Sequence, residues 1–100
     1  MSYCLVSQGK FLGPVGTVEA YAQIIDIVEQ FDKTTAGGGR LPALSELVQR
    51  GHTNDPKRVA KDIYKLITHR TDLPKNAIIN LRNLKDLLLK ARQSADIDES

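Results

Sequence analysis

Residues 40–66 read RLPALSELVQRGHTNDPKRVAKDIYKL, two short amphipathic segments on either side of a polar turn. Pro42 suits the first turn of a helix, because its missing N–H would have no partner there. Apolar residues then recur on one face at helical spacing, and Gly51 is a good residue to end the helix. The first segment therefore predicts a short helix between these two residues.

The second segment predicts another helix. Asn54 or Asp55 can cap its N-terminus, and Pro56 can open a helix that runs to about His69. Lysines at every fourth position then form one stripe away from the apolar face. The apolar face comprises Val59, Ile63, Leu66 and Ile67.

Two longer helices are predicted outside this pair. The apolar period over residues 18–32, with Thr17 as the N-cap, indicates a helix with a wide buried face. Residues 74–93 predict a last helix that is apolar over more than half of its circumference. Residues 1–16 are expected to form an irregular arm or a short hairpin about Gln8 and Gly9.

The predicted fold class is all-α. Residues 17–93 would form one small four-helix domain with a helix-turn-helix-like pair, preceded by the N-terminal arm. Residues 94–100, SADIDES, carry three acids and are expected to be a disordered acidic tail. A chain of 100 residues with 41% apolar residues can bury the core of one such domain.

Composition argues against several classes of protein. No apolar run approaches the ~18 residues of a membrane span, and no secretory signal is visible. The single cysteine, Cys4, excludes an internal disulfide and suits a reducing cytoplasm. His52, His69 and Cys4 lack the spacing of metal ligands, and no nucleophile–base–acid set is recognisable. We therefore expect no enzyme, no metal and no cofactor.

Basic charge is concentrated in the second half of the chain. Residues 51–93 contain ten Lys and Arg residues against four Asp residues. This asymmetry indicates an anionic partner, although solvated helix faces can give the same pattern.

The three glycines at residues 37–39 allow three interpretations. A phosphate-binding loop needs Lys-Ser or Lys-Thr after the glycines, whereas Arg40, Leu41 and Pro42 follow here. A plain loop between helices remains open. The third interpretation is the entry to a helix-turn-helix.

The third interpretation depends on a resemblance. The segments YAQIIDIVEQF, RLPALSELV and KRVAKDIYKL resemble the N-terminal DNA-binding domain of GntR-type transcription regulators. The likeness covers residues 18–67, has a turn one residue longer than the family's, and lacks the family's β-hairpin wing. The matching residues are Tyr21, Gln23, Ile24, Arg40, Leu41, Pro42, Glu46, Leu47, Val59, Ile63 and Leu66.

Such a domain implies a DNA-binding transcription regulator that contacts DNA through the start of the second motif helix. Arg58 could contact guanine and Asn54 adenine, while Lys61 and Lys65 would contact phosphates. The predicted nucleic-acid-binding residues are His52, Thr53, Asn54, Lys57, Arg58, Lys61 and Lys65.

The last helix suggests a protein interface. Its apolar surface is wider than the row of residues that one core would bury, and the additional apolar residues are Ile79, Leu87 and Leu89. This surplus favours a homodimer or another protein partner. The alternative is a central helix enclosed by the other three helices and the N-terminal arm. A second function therefore stays open: an assembly or adaptor subunit of the phage, defence-system or immunity type, with a basic face.

Overall fold

The computed structural model describes residues 2–34 and 41–99, in which four helices and four strands are present. The glycine run and Arg40 lie outside the described residues, and the three interpretations of the run stay open. In chain order the elements are β1 (Ser2–Ser7), β2 (Lys10–Thr17), α1 (Val18–Thr34), α2 (Pro42–Arg50), β3 (His52–Thr53), α3 (Pro56–His69), α4 (Lys75–Lys90) and β4 (Ala95–Glu99).

The all-α prediction is wrong, because the strands form one antiparallel sheet in the order β2-β1-β4-β3. The fold is therefore α+β. The four predicted helices are all present, and α4 is shorter than predicted at its C-terminal end. Strand β4, close to the C-terminus, lies between the N-terminal hairpin and the strand that joins α2 to α3.

The N-terminal segment forms the hairpin, one of the two predicted alternatives. Gln8 and Gly9 make the two-residue turn, with φ of 52° and 79°. Positive φ at both positions is typical of the turns that match strand twist in short hairpins. Pro14 lies in β2 at the edge of the sheet, where a missing N–H is tolerated.

The acidic C-terminal segment forms β4, so the prediction of a disordered tail is wrong. Ala95 is fully buried and Ile97 packs against the core, while Asp96 and Asp98 alternate with them. Strands β1 and β3 pair with β4 on its two sides. Two neighbouring strands therefore supply the hydrogen bonds that keep an acid-rich segment ordered.

Ser7 joins the end of β1 to the connection between α4 and β4. Its buried hydroxyl donates to the carbonyl of Ser94 at 2.7 Å and accepts from the N–H of Arg92 at 3.1 Å. The chain leaves α4 at this point, and Gln93 adopts a positive φ of 60°. These contacts turn the chain from α4 into β4.

One hydrophobic cluster joins the sheet to the helices. Helix α1 begins at its predicted cap, since the Thr17 hydroxyl accepts from the N–H of Ala20 at 3.1 Å. Helix α4 crosses β2 where Gly13 lies, and a Cβ there would come within 2.6 Å of the Leu87 side chain. The glycine therefore permits close packing of helix on strand.

A chain that ends after Ser94 should lose its cooperative thermal transition, because β1 and β3 would no longer be joined. The loss should approach the whole free energy of unfolding, about 5–15 kcal/mol for a domain. Differential scanning calorimetry measures it. The double variant Asp98→Asn, Glu99→Gln keeps the strand and should melt near wild type. An unchanged melting temperature in the truncated chain would contradict the role of β4.

Candidate nucleic-acid interface

Helices α2 and α3 are fixed to each other by a carboxylate of α3 at the N-terminus of α2. Leu41 occupies the N-cap position of α2 and has no polar side chain to cap it. The Asp62 Oδ2 atom instead accepts from the N–H groups of Ala43 at 2.9 Å and Leu44 at 3.1 Å. These N–H groups lack partners within the helix, and the helix dipole favours an anion there.

The connection between the two helices is short and ordered. Gly51 ends α2 in the left-handed conformation with φ of 68°, as predicted. Its carbonyl accepts from the N–H of Ile97 at 2.8 Å, which ties the turn to β4. Asp55 then caps α3 by accepting from the N–H of Arg58 at 3.2 Å. Of the two predicted caps, the structure uses this one.

The outer face of α3 exposes basic side chains on successive turns. Lys57, Arg58 and Lys61 are exposed, and none forms an ion pair with another residue in the described part of the chain. Lys65 continues the stripe but is half-buried. The face is therefore positively charged over the first two turns of the helix and into the third.

A shallow crevice between the starts of α2 and α3 is less suited to an anion. It measures about 250 Å³, and Glu46 and Asp55 line it together with Arg58. The two carboxylates would repel a phosphate placed there. The crevice is therefore less favourable to an anion than the basic side of α3.

His52 and Asn54 interact with each other and with β4. The His52 Nδ1 atom lies 2.6 Å from Asp96 Oδ1, and its Nε2 atom lies 2.9 Å from Asn54 Oδ1. Both partners are acceptors, so the doubly protonated ring can donate to both. The hydrogen bond with Asp96, followed by that with Asn54, raises the pKa of His52 above its ordinary value. His52 thus belongs to the sheet edge and is separate from the basic stripe.

Two predicted residues prove to be buried. Thr53 is 3% exposed, and its hydroxyl accepts from the N–H of Asp55 at 3.1 Å, so its side chain offers little surface for the predicted contact with nucleic acid. Leu87 is 6% exposed and packs against Gly13, so its side chain offers little surface for the predicted interface. Leu87 is buried because β2 of the N-terminal hairpin, one of the two arrangements predicted for residues 1–16, covers this side of α4.

The other two predicted interface residues, Ile79 and Leu89, are 62% and 55% exposed. Sequence reasoning did not single out Tyr64 on the neighbouring helix α3, an apolar side chain that is 63% exposed. The Lys85 Nζ atom lies 5.8 Å from the centre of its ring, a cation–π distance. In the sequence, Tyr64 lies off the apolar face of its helix, and this position indicates that its side chain is exposed.

The described residues, 2–34 and 41–99, contain no three His, Cys, Asp or Glu side chains placed to hold a metal ion. They also contain no helix that is long and apolar enough to cross a bilayer. Burial raises the pKa of Tyr21 to about 12, with a further contribution from Tyr3, whose ring centre is 4.8 Å away. The Tyr21 side chain is part of the hydrophobic core.

No family model matches this chain, and no curated protein or solved structure matches it.

Replacing Asp62 with Ala should destabilise the domain by about 1–2 kcal/mol, because α2 loses its capping acceptor. Chemical denaturation measures the change. Asp86→Ala is the matched control: this exposed aspartate of α4 should change stability by no more than about 0.5 kcal/mol. Asp62→Asn should recover part of the loss, since its amide oxygen can accept. Equal effects of Asp62→Ala and Asp86→Ala would exclude the capping role.

The pair His52–Asp96 should stabilise the fold in acid more than in base. The folded pKa is raised, so the contribution is complete below the unfolded value of about 6.5 and is lost as pH rises through the folded pKa. Asp96→Asn should therefore be less stable than wild type near pH 6, with a smaller difference near pH 9. NMR titration should also show a lower His52 pKa in Asp96→Asn. Asp98→Asn, on the same strand, should leave that pKa close to wild type.

Proposed function

We propose that this chain is a small nucleic-acid-binding protein that binds through the outer face of α3. The observation that carries the proposal is the set of basic side chains on successive turns of α3, exposed and without acidic partners among the described residues. Such a stripe can neutralise successive phosphates and release their counterions. Lys57, Arg58 and Lys61 are the proposed phosphate contacts.

A helix-turn-helix transcription regulator is the specific form of this proposal. The cap from Asp62 supports it, because it holds α2 and α3 at a set angle, as a motif that places one helix in a groove requires. Base contacts would come from Arg58 and from Asn54, whose amide would have to leave His52. The GntR-type resemblance adds to this support, and the missing wing limits it to the two-helix unit.

The proposed compartment is the cytoplasm, and the proposal includes no catalysis. Cys4 is a free, buried thiol, which suits a reducing environment.

A homodimer would fit a two-fold DNA site. Sedimentation of the wild-type protein over a range of concentrations tests it. The alternative, an assembly or adaptor subunit, is favoured by the exposed apolar residues of α3 and α4.

Replacing Lys57 and Arg58 with Ala should weaken binding and lower the log–log salt slope by about 0.9 for each lost phosphate contact. Fluorescence anisotropy with labelled duplexes and single strands, at several salt concentrations, measures both. Lys75→Ala, Arg82→Ala removes the same charge from exposed positions of α4 and should bind almost as wild type.

Two outcomes would contradict the proposal. One is a wild-type protein that binds neither a duplex nor a single strand at ~50 mM salt. The other is an equal loss in both double variants, which would indicate general charge attraction in place of a site on α3. Far-UV circular dichroism must show that the two variants keep wild-type helix content.

A further inference from the structure

Helices α3 and α4 leave an apolar groove between them on the protein surface. The groove measures about 300 Å³. Its apolar lining comes from Ala60, Tyr64 and Leu89, of which the last two are more than half exposed. The remaining lining residues are three lysines, Lys57, Lys61 and Lys85, and no acidic residue of the described part of the chain lines the groove.

We propose that this groove is a docking site for an acidic amphipathic segment of another protein. An apolar side chain of the segment would lie against Tyr64 and Leu89, and its carboxylates would face the lysines. An apolar centre with a charged rim is the common composition of a protein interface. Because the rim is all positive, complementarity requires acids in the partner. A helix with apolar residues on one face fits a groove between two helices.

The lining favours protein over nucleic acid as the occupant. The aliphatic side chains of Ala60 and Leu89 have no hydrogen-bonding groups for a base edge. The ammonium group of Lys85 lies 5.8 Å from the ring centre of Tyr64, near the aromatic surface on which a base would stack. An aliphatic side chain is the complement of this lining.

A second copy of the chain is also disfavoured as the occupant of this groove, although a homodimer could form through another surface. A two-fold dimer places the same patch of both protomers in contact. The three lysines of one groove would then meet those of the other. Like charges at an interface oppose association, whereas an acidic partner removes the repulsion.

The groove shares two lysines with the proposed nucleic-acid-binding face. Lys57 and Lys61 belong to both surfaces, so an acidic segment and a polyanion would compete. Docking itself does not require nucleic-acid binding, because Tyr64, Lys85 and Leu89 contribute to the groove alone.

The test is selection of a random 12-residue peptide library displayed on phage against the wild-type protein. The proposal predicts that enriched peptides combine apolar residues at helical spacing with Asp and Glu. Synthetic peptides from this set are then measured by fluorescence anisotropy. Leu89→Ser should weaken their binding about tenfold, since one buried leucine contact is lost. Lys85→Glu should weaken it at least as much.

Ile79→Ser is the matched control, because this residue is as exposed as Leu89 on the same helix but does not line the groove. It should bind the peptides as wild type. Both serine variants change exposed residues, and a thermal melt verifies their folding. Leu89→Ser should retain wild-type affinity for nucleic acid, which separates this proposal from the preceding one.

Four results would overturn the proposal. The first is that the enriched peptides lack acidic residues. The second is that the enriched peptides bind Leu89→Ser as well as they bind the wild type. The third is that selection on the wild-type protein enriches no peptides beyond those enriched by the same selection on Leu89→Ser. The fourth is a different occupant: a dimer of the wild type that Leu89→Ser dissociates, or an oligonucleotide whose binding Leu89→Ser weakens.

Discussion

The position of β4 between β1 and β3 is the constraint on which the rest of the structure depends. The N-terminal hairpin and the α2–α3 connection are far apart in sequence, and β4 pairs with both. Ser7 completes the junction by binding the backbone on either side of Gln93. Ordering a five-residue acidic segment costs conformational entropy, which backbone pairing on two sides and the burial of Ala95 can offset.

This constraint extends to the proposed interface. The last residues of β3 lead into the cap of α3, so the sheet determines where α3 begins. Asp62 of α3 accepts hydrogen bonds from the N-terminus of α2 and so fixes the two helices against each other. A helix held at its start by β3 and along its length by α2 and α4 can present a fixed row of side chains, as either proposed partner would require. The ionisation of His52 affects the same junction, because its ring joins β4 to Asn54.

The helices were predictable, whereas the sheet was foreseen only as an N-terminal hairpin, one of two alternatives, and both outcomes have identifiable physical reasons. Helix α3 has a proline start, a capping aspartate and a regular apolar face, each a local signal. Strand β4 has only Ala95 and Ile97 as inward residues, and its charges suggested disorder. The alternation of these residues with Asp96 and Asp98 was the available signal for a strand. Its partners are remote in sequence, and composition does not reveal pairing of that kind. Leu87 was expected at an interface for a related reason, since the sequence did not reveal that the N-terminal hairpin packs on this side of α4.

The candidate site was predictable in its charge but not in its shape. The lysine stripe of α3 follows from helical periodicity, whereas the groove exists only because α4 packs beside α3 and leaves Tyr64 and Leu89 uncovered. Charge alone does not distinguish a nucleic acid from an acidic protein, since both offer anions to Lys57 and Lys61. The apolar lining distinguishes them, because only a protein brings an aliphatic side chain to Leu89. The two proposed partners, a nucleic acid and an acidic protein segment, would therefore use the same lysines, and only the protein segment would also contact Leu89.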